Sequence, residues 1–169
     1  ATVFVAVHAL YPESIVGWAG FAAALAAVNA DTWATELGVL NPTPPRMITD
    51  LGKRVEKGTS GGVSLFGTLA SLLGAAIIAL PAAWFTGNWL LLPLISLAGL
   101  AGSLFDSLLG ATVQAMYYCP TDQKETEKHP LHTCSTATVH IRGWKWLDND
   151  WVNFACSAAG VAVALAGFF

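Results

Sequence analysis

Asp106 lies in an apolar run that begins at Asn88, within the stretch Gly-Leu-Ala-Gly-Ser-Leu-Phe-Asp-Ser-Leu-Leu-Gly-Ala at 99–111. An ionisable side chain in a segment long enough to cross a bilayer is costly, and by default it marks a functional site with a partner. Residues at helical spacing around it are Gly99, Gly102, Ser103, Ser107 and Gly110. That face is small and polar, open to close approach by a helix or a ligand. The alternative is plain helix packing, with Asp106 hydrogen-bonded to a neighbour.

A second group of carboxylates and hydroxyls stands at 29–38, Asn-Ala-Asp-Thr-Trp-Ala-Thr-Glu-Leu-Gly. Asp31 pairs with Thr35 and Thr32 with Glu36 at four-residue spacing, so a continuing helix presents two acid and hydroxyl pairs. Such donors suit a hard cation such as magnesium, which takes one or two carboxylates and leaves room for phosphate oxygens. A solvent-exposed Asp31 at a helix C-terminus is the bland alternative, but acid there opposes the helix dipole.

Phosphate chemistry is suggested next along the chain. Arg46 is followed by Lys53, Arg54 and Lys57, then by Gly58, Thr59, Ser60, Gly61 and Gly62, directly before a helix opening at Ser64. Glycines let the backbone approach a ligand, and free amides at a helix start attract anions. This is not a Walker loop, because Lys53 precedes the glycines and no strand precedes it. Plain linker is the competing reading. At 147–153, Leu-Asp-Asn-Asp-Trp-Val-Asn opens the last apolar run, with Asp148 or Asn149 as its cap and Asn153 one turn inside, toward the same pocket.

Composition sets the frame that must position these groups. The 169 residues are 54% hydrophobic and only 11% charged, against about a quarter charged in soluble domains, so this is a membrane protein. Apolar runs cover 14–28, 64–85, 89–116 and 150–169, and the run 1–10 reads as the end of a further helix closed by a turn at 11–13. The expected fold is all-α, a polytopic transmembrane bundle of four to five spans with two long loops, forming one membrane domain over 1–169. The opening in mid-hydrophobe, without signal-peptide features, reads as a piece of a longer protein whose N-terminal helices lie outside it.

Net charge is −3, which argues against nucleic acid as a partner. All eight Lys and Arg residues lie in 41–62 or 117–149, so the positive-inside rule places both loops in the cytoplasm. On that topology Asp106 lies roughly 25 Å along its helix, at the cytoplasmic end.

Together the motifs at 29–38, 53–62, 102–114 and 147–153 resemble the integral-membrane family of phytyl-phosphate kinase and transmembrane protein 19, long catalogued as a domain of unknown function. The likeness spans about 17–165 and is specific for the family rather than for a substrate. It implies transfer of a phosphoryl group from a nucleoside triphosphate such as CTP to an isoprenoid monophosphate. By the same resemblance Asp31, Glu36 and Asp106 hold magnesium, while Arg46, Lys53 and the loop from Gly58 to Gly62 hold phosphates. Asn29, Thr32, Ser103, Asp148, Asn149 and Asn153 complete the polar surroundings. Such transfer needs mainly positioning and charge neutralisation. A lipid monophosphate rests its tail among helices in the bilayer and presents its phosphate at the boundary, where nucleotide is available.

Many prokaryotic members of that family carry Cys-X-X-Cys with a later His-X-Cys in the second loop, a spacing suited to tetrahedral zinc. Here Cys119, Asp122, His132 and Cys134 occupy that pattern, with Asp122 where a second cysteine is expected. Either aspartate serves as a ligand or the site has decayed. Cytoplasmic thiols stay reduced, so a disulfide between Cys119 and Cys134 is not expected. Cys156 reads as core, and Trp144, Trp146 and Trp151 as an interfacial belt. Two rivals share parts of this pattern. An ion-coupled transporter also uses intramembrane acids, but near the midplane. A lipid alcohol kinase or cytidylyltransferase would use the same metal and phosphate groups.

Overall fold

Small side chains on one helix organise the bundle. The computed structural model describes residues 1–168; Phe169, the end of the last apolar run, lies outside them. Helix α1 (Thr2–Leu10) turns at 11–14 into α2 (Ile15–Gly38), whose Ala19, Ala22, Ala23, Ala26, Ala27 and Ala30 are all buried. Around α2 stand α3 (Leu65–Thr86), α4 (Leu91–Thr112) and α5 (Asn149–Ala166). The approach is close enough to require glycine. A Cβ on Gly102 of α4 would lie 2.7 Å from the Ala27 Cβ, and one on Gly160 of α5 would lie 2.9 Å from the same atom. Packing of small residues is how helices associate where lipid supplies no hydrophobic drive.

Among the described residues, three helices, α2, α3 and α4, are long and apolar enough to cross a membrane. The expectation of four to five spans is therefore corrected to three. Helix α1 has nine residues, and α5, with eighteen, opens on Asn149, Asp150 and Asn153 and falls below that apolarity. The long α2 joins what hydropathy divides into an apolar span and a polar tail, because Ala30, Ala34 and the residues between continue the helix to Gly38. Leu69, Leu73, Ile77, Leu80 and Trp84 of α3 are exposed, an apolar outer face of the kind that lipid covers.

The loops are not irregular, which corrects the all-α expectation. The first contains β1 (Arg46–Met47), β2 (Asp50–Arg54) and β3 (Gly62–Val63), an antiparallel sheet in the order β2-β1-β3. The second contains β4 (Met116–Cys119), β5 (Lys124–Thr126) and β6 (Val139–Arg142), antiparallel in the order β5-β4-β6. Strands of two to five residues are too short to display a period of two in the sequence.

Both loops lie at one end of the bundle. The Ser60 hydroxyl donates to Gln114 Oε1 at 3.1 Å, tying the glycine loop to the residues just after α4. Arg142 Nη1 donates to the Gly110 carbonyl at 3.0 Å, and the Trp144 amide donates to the Val113 carbonyl at 2.8 Å. The second loop is thus stitched to the same helix end as the first.

Candidate functional site

At that end the C-terminal halves of α2 and α4 meet the N-termini of α3 and α5 around a cavity of about 340 Å³. Asp31, Thr32, Thr35 and Glu36 line it from α2, and Ser103, Asp106 and Ser107 from α4. The loop Gly58, Thr59, Ser60, Gly61 and Gly62 closes one side, Ser64 and Ser71 come from the start of α3, and Asn149 and Asn153 from the start of α5. Asp31 is seven residues before the end of its helix and Asp106 six before the end of its own, so both lie roughly 10 Å inside the bundle.

The acids are held but not neutralised. Ser103 Oγ donates to Asp31 Oδ1 at 3.3 Å across α4 and α2. Asp106 Oδ2 is shielded from solvent and has no hydrogen-bond partner among the described residues. Ser71 is 1% exposed and its Oγ is likewise without a partner. Buried polar atoms are almost always paired, so two orphans on one cavity wall call for an explanation such as an ion or a ligand. Half-buried carboxylates with hydroxyls are hard oxygen donors, which fit magnesium.

The glycine loop reaches this place through special backbone. Gly61 has φ +83°, and a Cβ there would stand 2.5 Å from the Ala111 Cβ and 2.7 Å from its Cα. Only glycine allows the loop to lie on α4. Ser64 caps α3 by accepting from the Gly67 amide at 3.0 Å and from the Thr68 amide at 2.8 Å, so the cavity meets this helix start at Ser64, Gly67 and Thr68 and feels mainly the positive end of its dipole. Amides at a helix N-terminus and its dipole favour an anion.

Not every residue singled out from sequence arrives here. Arg46 does not line the cavity; its guanidinium donates to the Leu51 carbonyl and braces the β1–β2 hairpin. Lys53 lies in an adjoining open hollow with Arg54, Lys124, Lys128 and Arg142. Asn29 is spent on helix packing, its Nδ2 donating to the Gly74 carbonyl of α3 at 2.8 Å. Asp148 is the cap of α5, accepting from the Asp150 and Trp151 amides at 3.1 and 3.2 Å. Thr32 lines the cavity while its hydroxyl donates to the Val28 carbonyl at 3.0 Å.

Lys57, Ser71 and Glu127 also line the cavity, although none of them is assigned as a ligand from sequence. Lys57 lines both hollows, and its Nζ donates to the Val39 carbonyl at 3.0 Å, across the end of α2. Its position directly before Gly58 was the available signal. Ser71 follows Ser64, Gly67 and Thr68 at helical spacing, a polar stripe in an otherwise apolar run. Glu127, from the second loop, lines both hollows, and nothing in its local sequence marks it.

In the second loop, Cys119, Asp122, His132 and Cys134 come together, their ligand atoms all within 4.8 Å of one another. Contacts with Thr136 and then with His132 lower the Cys134 thiol to about 7. Cys156 is buried in α5, as its apolar surroundings suggest.

Residues 1–161 match the family described as integral membrane protein DUF92. The chain belongs to that family. It is 40% identical over 141 residues to Protein PGR of Arabidopsis thaliana, covering 76% of this chain and 47% of the relative. It is also 43% identical over 96 residues to uncharacterized membrane protein MJ0933 of Methanocaldococcus jannaschii, covering 56% of this chain and 40% of the relative. The chain thus spans about half or less of the curated relatives it matches. No solved structure matches it. Membership in an integral membrane family agrees with the three apolar helices and makes the chain a multi-pass membrane protein.

Proposed function

We propose that this chain forms the catalytic part of a membrane isoprenoid-phosphate kinase, which passes the terminal phosphoryl group of CTP or another nucleoside triphosphate to a lipid monophosphate. The observation that carries the reading is the convergence of Asp31, Glu36 and Asp106 with the glycine loop and the α3 N-terminus on one cavity at one end of the bundle. The resemblance to the phytyl-phosphate kinase family supplies the substrate class.

Asp31, Glu36 and Asp106 would hold magnesium, which when bound neutralises phosphate charge and aligns the reacting oxygens. The amides of Gly58, Ser60 and Gly61, with Lys57, would hold phosphate oxygens, whereas those of Thr59 and Gly62 are already given to the Glu56 and Thr59 carbonyls. Lys53, assigned from sequence to the same task, serves instead on the nucleotide side, in the basic hollow that adjoins the cavity through Thr35, Lys57, Gly58, Thr59, Ser60 and Glu127. In the reaction an oxygen of the lipid monophosphate attacks the γ-phosphorus. The bond from that phosphorus to the bridging oxygen breaks, giving a lipid diphosphate and a nucleoside diphosphate. Positioning and charge stabilisation carry most of such a barrier. On this reading the end of the bundle that bears the loops faces the cytoplasm, where nucleotide is available, as the basic residues in both loops favour.

A transporter site is expected near the midplane, between symmetric halves. The cavity here opens at one end and is walled by a glycine loop, which favours the kinase. The test is conversion of geranylgeranyl, phytyl or farnesyl phosphate to its diphosphate by the purified full-length protein with magnesium and CTP. Absence of product across that panel, with ATP and GTP also supplied, would sink the proposal.

A further inference from the structure

Outside the cavity, the second loop gathers two thiols, an imidazole and a carboxylate that the phosphoryl chemistry does not use. Cys119 ends β4 and is fully buried, and the Asp122 amide points at its Sγ at 3.5 Å. Across from this turn, residues 132–135 form a second one, in which the Ser135 amide donates to the His132 carbonyl at 2.8 Å and Ser135 takes φ 62°. A hydrogen bond of 2.8 Å between the Thr121 and Thr136 hydroxyls locks the two turns face to face.

The ligand atoms then meet in a small volume. Cys119 Sγ and Cys134 Sγ are 3.4 Å apart, Cys134 Sγ and His132 Nδ1 are 3.5 Å apart, and His132 Nδ1 and Asp122 Oδ2 are 2.8 Å apart. Zinc bonds of about 2.3 Å to sulfur and 2.0–2.2 Å to nitrogen or oxygen give a tetrahedron with edges of roughly 3.3–3.8 Å. The edge between Cys134 and His132 already has that size, and the edge between Cys119 and Cys134, at 3.4 Å, needs to open by about 0.4 Å, since two sulfur ligands stand roughly 3.8 Å apart. The edge between His132 and Asp122 needs to open by about half an ångström, a change of rotamer scale at an exposed aspartate.

We propose that Cys119, Asp122, His132 and Cys134 form a structural zinc site of four protein ligands, with aspartate as the fourth. None of the four lines the magnesium and phosphate cavity, and of them His132 alone lines the adjoining basic hollow. Its position says what it stabilises. Cys119 belongs to β4, whose partners β5 and β6 lead to Glu127 and supply Arg142, the residues by which this loop reaches the cavity wall and the end of α4. Binding there joins two turns whose ligands are ten to fifteen residues apart, in a loop with little core of its own. Metal binding is then folding free energy for that loop.

The test is elemental analysis of the full-length protein purified in detergent without chelator, together with cobalt substitution after zinc removal. The expected result is about one zinc per chain, a thiolate-to-cobalt charge-transfer band, and faster proteolysis within 117–149 once the metal is stripped. Cys134→Ser should lose the metal and the band. Asp122→Cys should keep both, bind zinc more tightly and strengthen the band. Substoichiometric zinc with no cobalt band, or a Cys119–Cys134 disulfide in protein from thiol-blocked lysates, would overturn the proposal. Because these readouts are metal content, spectrum and proteolysis, they are independent of any kinase activity.

Discussion

Ser103 on α4 donates its hydroxyl proton to Asp31 on α2 at 3.3 Å, and that bond spans the two helices that carry the acids of the cavity. It fixes one oxygen of Asp31 and leaves the other without a hydrogen-bond partner among the described residues. Ser103→Ala should lower turnover by about tenfold, since a hydrogen bond to a charged group contributes about 1.5–3 kcal/mol at most and helix packing here does not depend on it. Steady-state rates beside an unchanged melting temperature in detergent would check this.

Asp106 presents a carboxylate oxygen that no described residue satisfies. Asp106→Asn removes the charge but keeps the shape, so it should reduce turnover by about 10²–10³-fold or more while the protein extracts and melts like wild type. Retained activity would reject Asp106 as a metal ligand. Asp31→Asn should behave similarly.

Gly61 separates a backbone requirement from a chemical one. Gly61→Ala drives a Cβ into Ala111 and holds a positive φ, which together should destabilise the protein by about 2–4 kcal/mol. Gly58→Ala shares the positive φ, but its Cβ meets open space, so its cost should be only about 1–2 kcal/mol. Thermal melts of the two variants should rank in that order.

The two lysines should divide by position. Lys57 lines the acid cavity as well as the basic hollow, whereas Lys53 lines the hollow alone. Lys57→Ala should lower kcat and weaken use of both substrates. Lys53→Ala should chiefly raise KM for the nucleotide. Equal effects on both constants would show that the two hollows are not functionally distinct.

Asp148 supplies a control. As the cap of α5 it should cost about 1 kcal/mol when changed to Ala, with kcat unaltered. A large loss of kcat in a variant of near-normal stability would bring Asp148 into the site.

Much of this arrangement was legible in the sequence because its causes are local. Asp106 stands out through the cost of a charge in an apolar run, Asp31 through the acid and hydroxyl pairs at four-residue spacing, and the Gly58 to Gly62 stretch through its position before a helix. The basic residues in both loops indicate that the loops share one side of the bundle, and the bond between Ser60 and Gln114 brings them to the same end. What was not legible depends on distant partners. Arg46 reads as a phosphate ligand until the hairpin that it braces is known, and Asn29 reads as a site residue until Gly74 appears opposite it. Glu127 reaches the cavity only because a sheet of short strands folds the second loop over it. The span count erred at α5, where an amphipathic opening makes hydrophobic length a poor guide.

The most direct measurement follows the label from CTP in the presence of magnesium and an isoprenoid monophosphate, using the full-length protein in detergent or liposomes. With CTP labelled at the γ-phosphate, the label should appear in the lipid diphosphate of wild type and be absent with Asp106→Asn. Label that stays in CTP across the lipid panel, or a lipid product that instead carries the α-phosphate of the nucleotide, would contradict the kinase; the latter would identify a cytidylyltransferase.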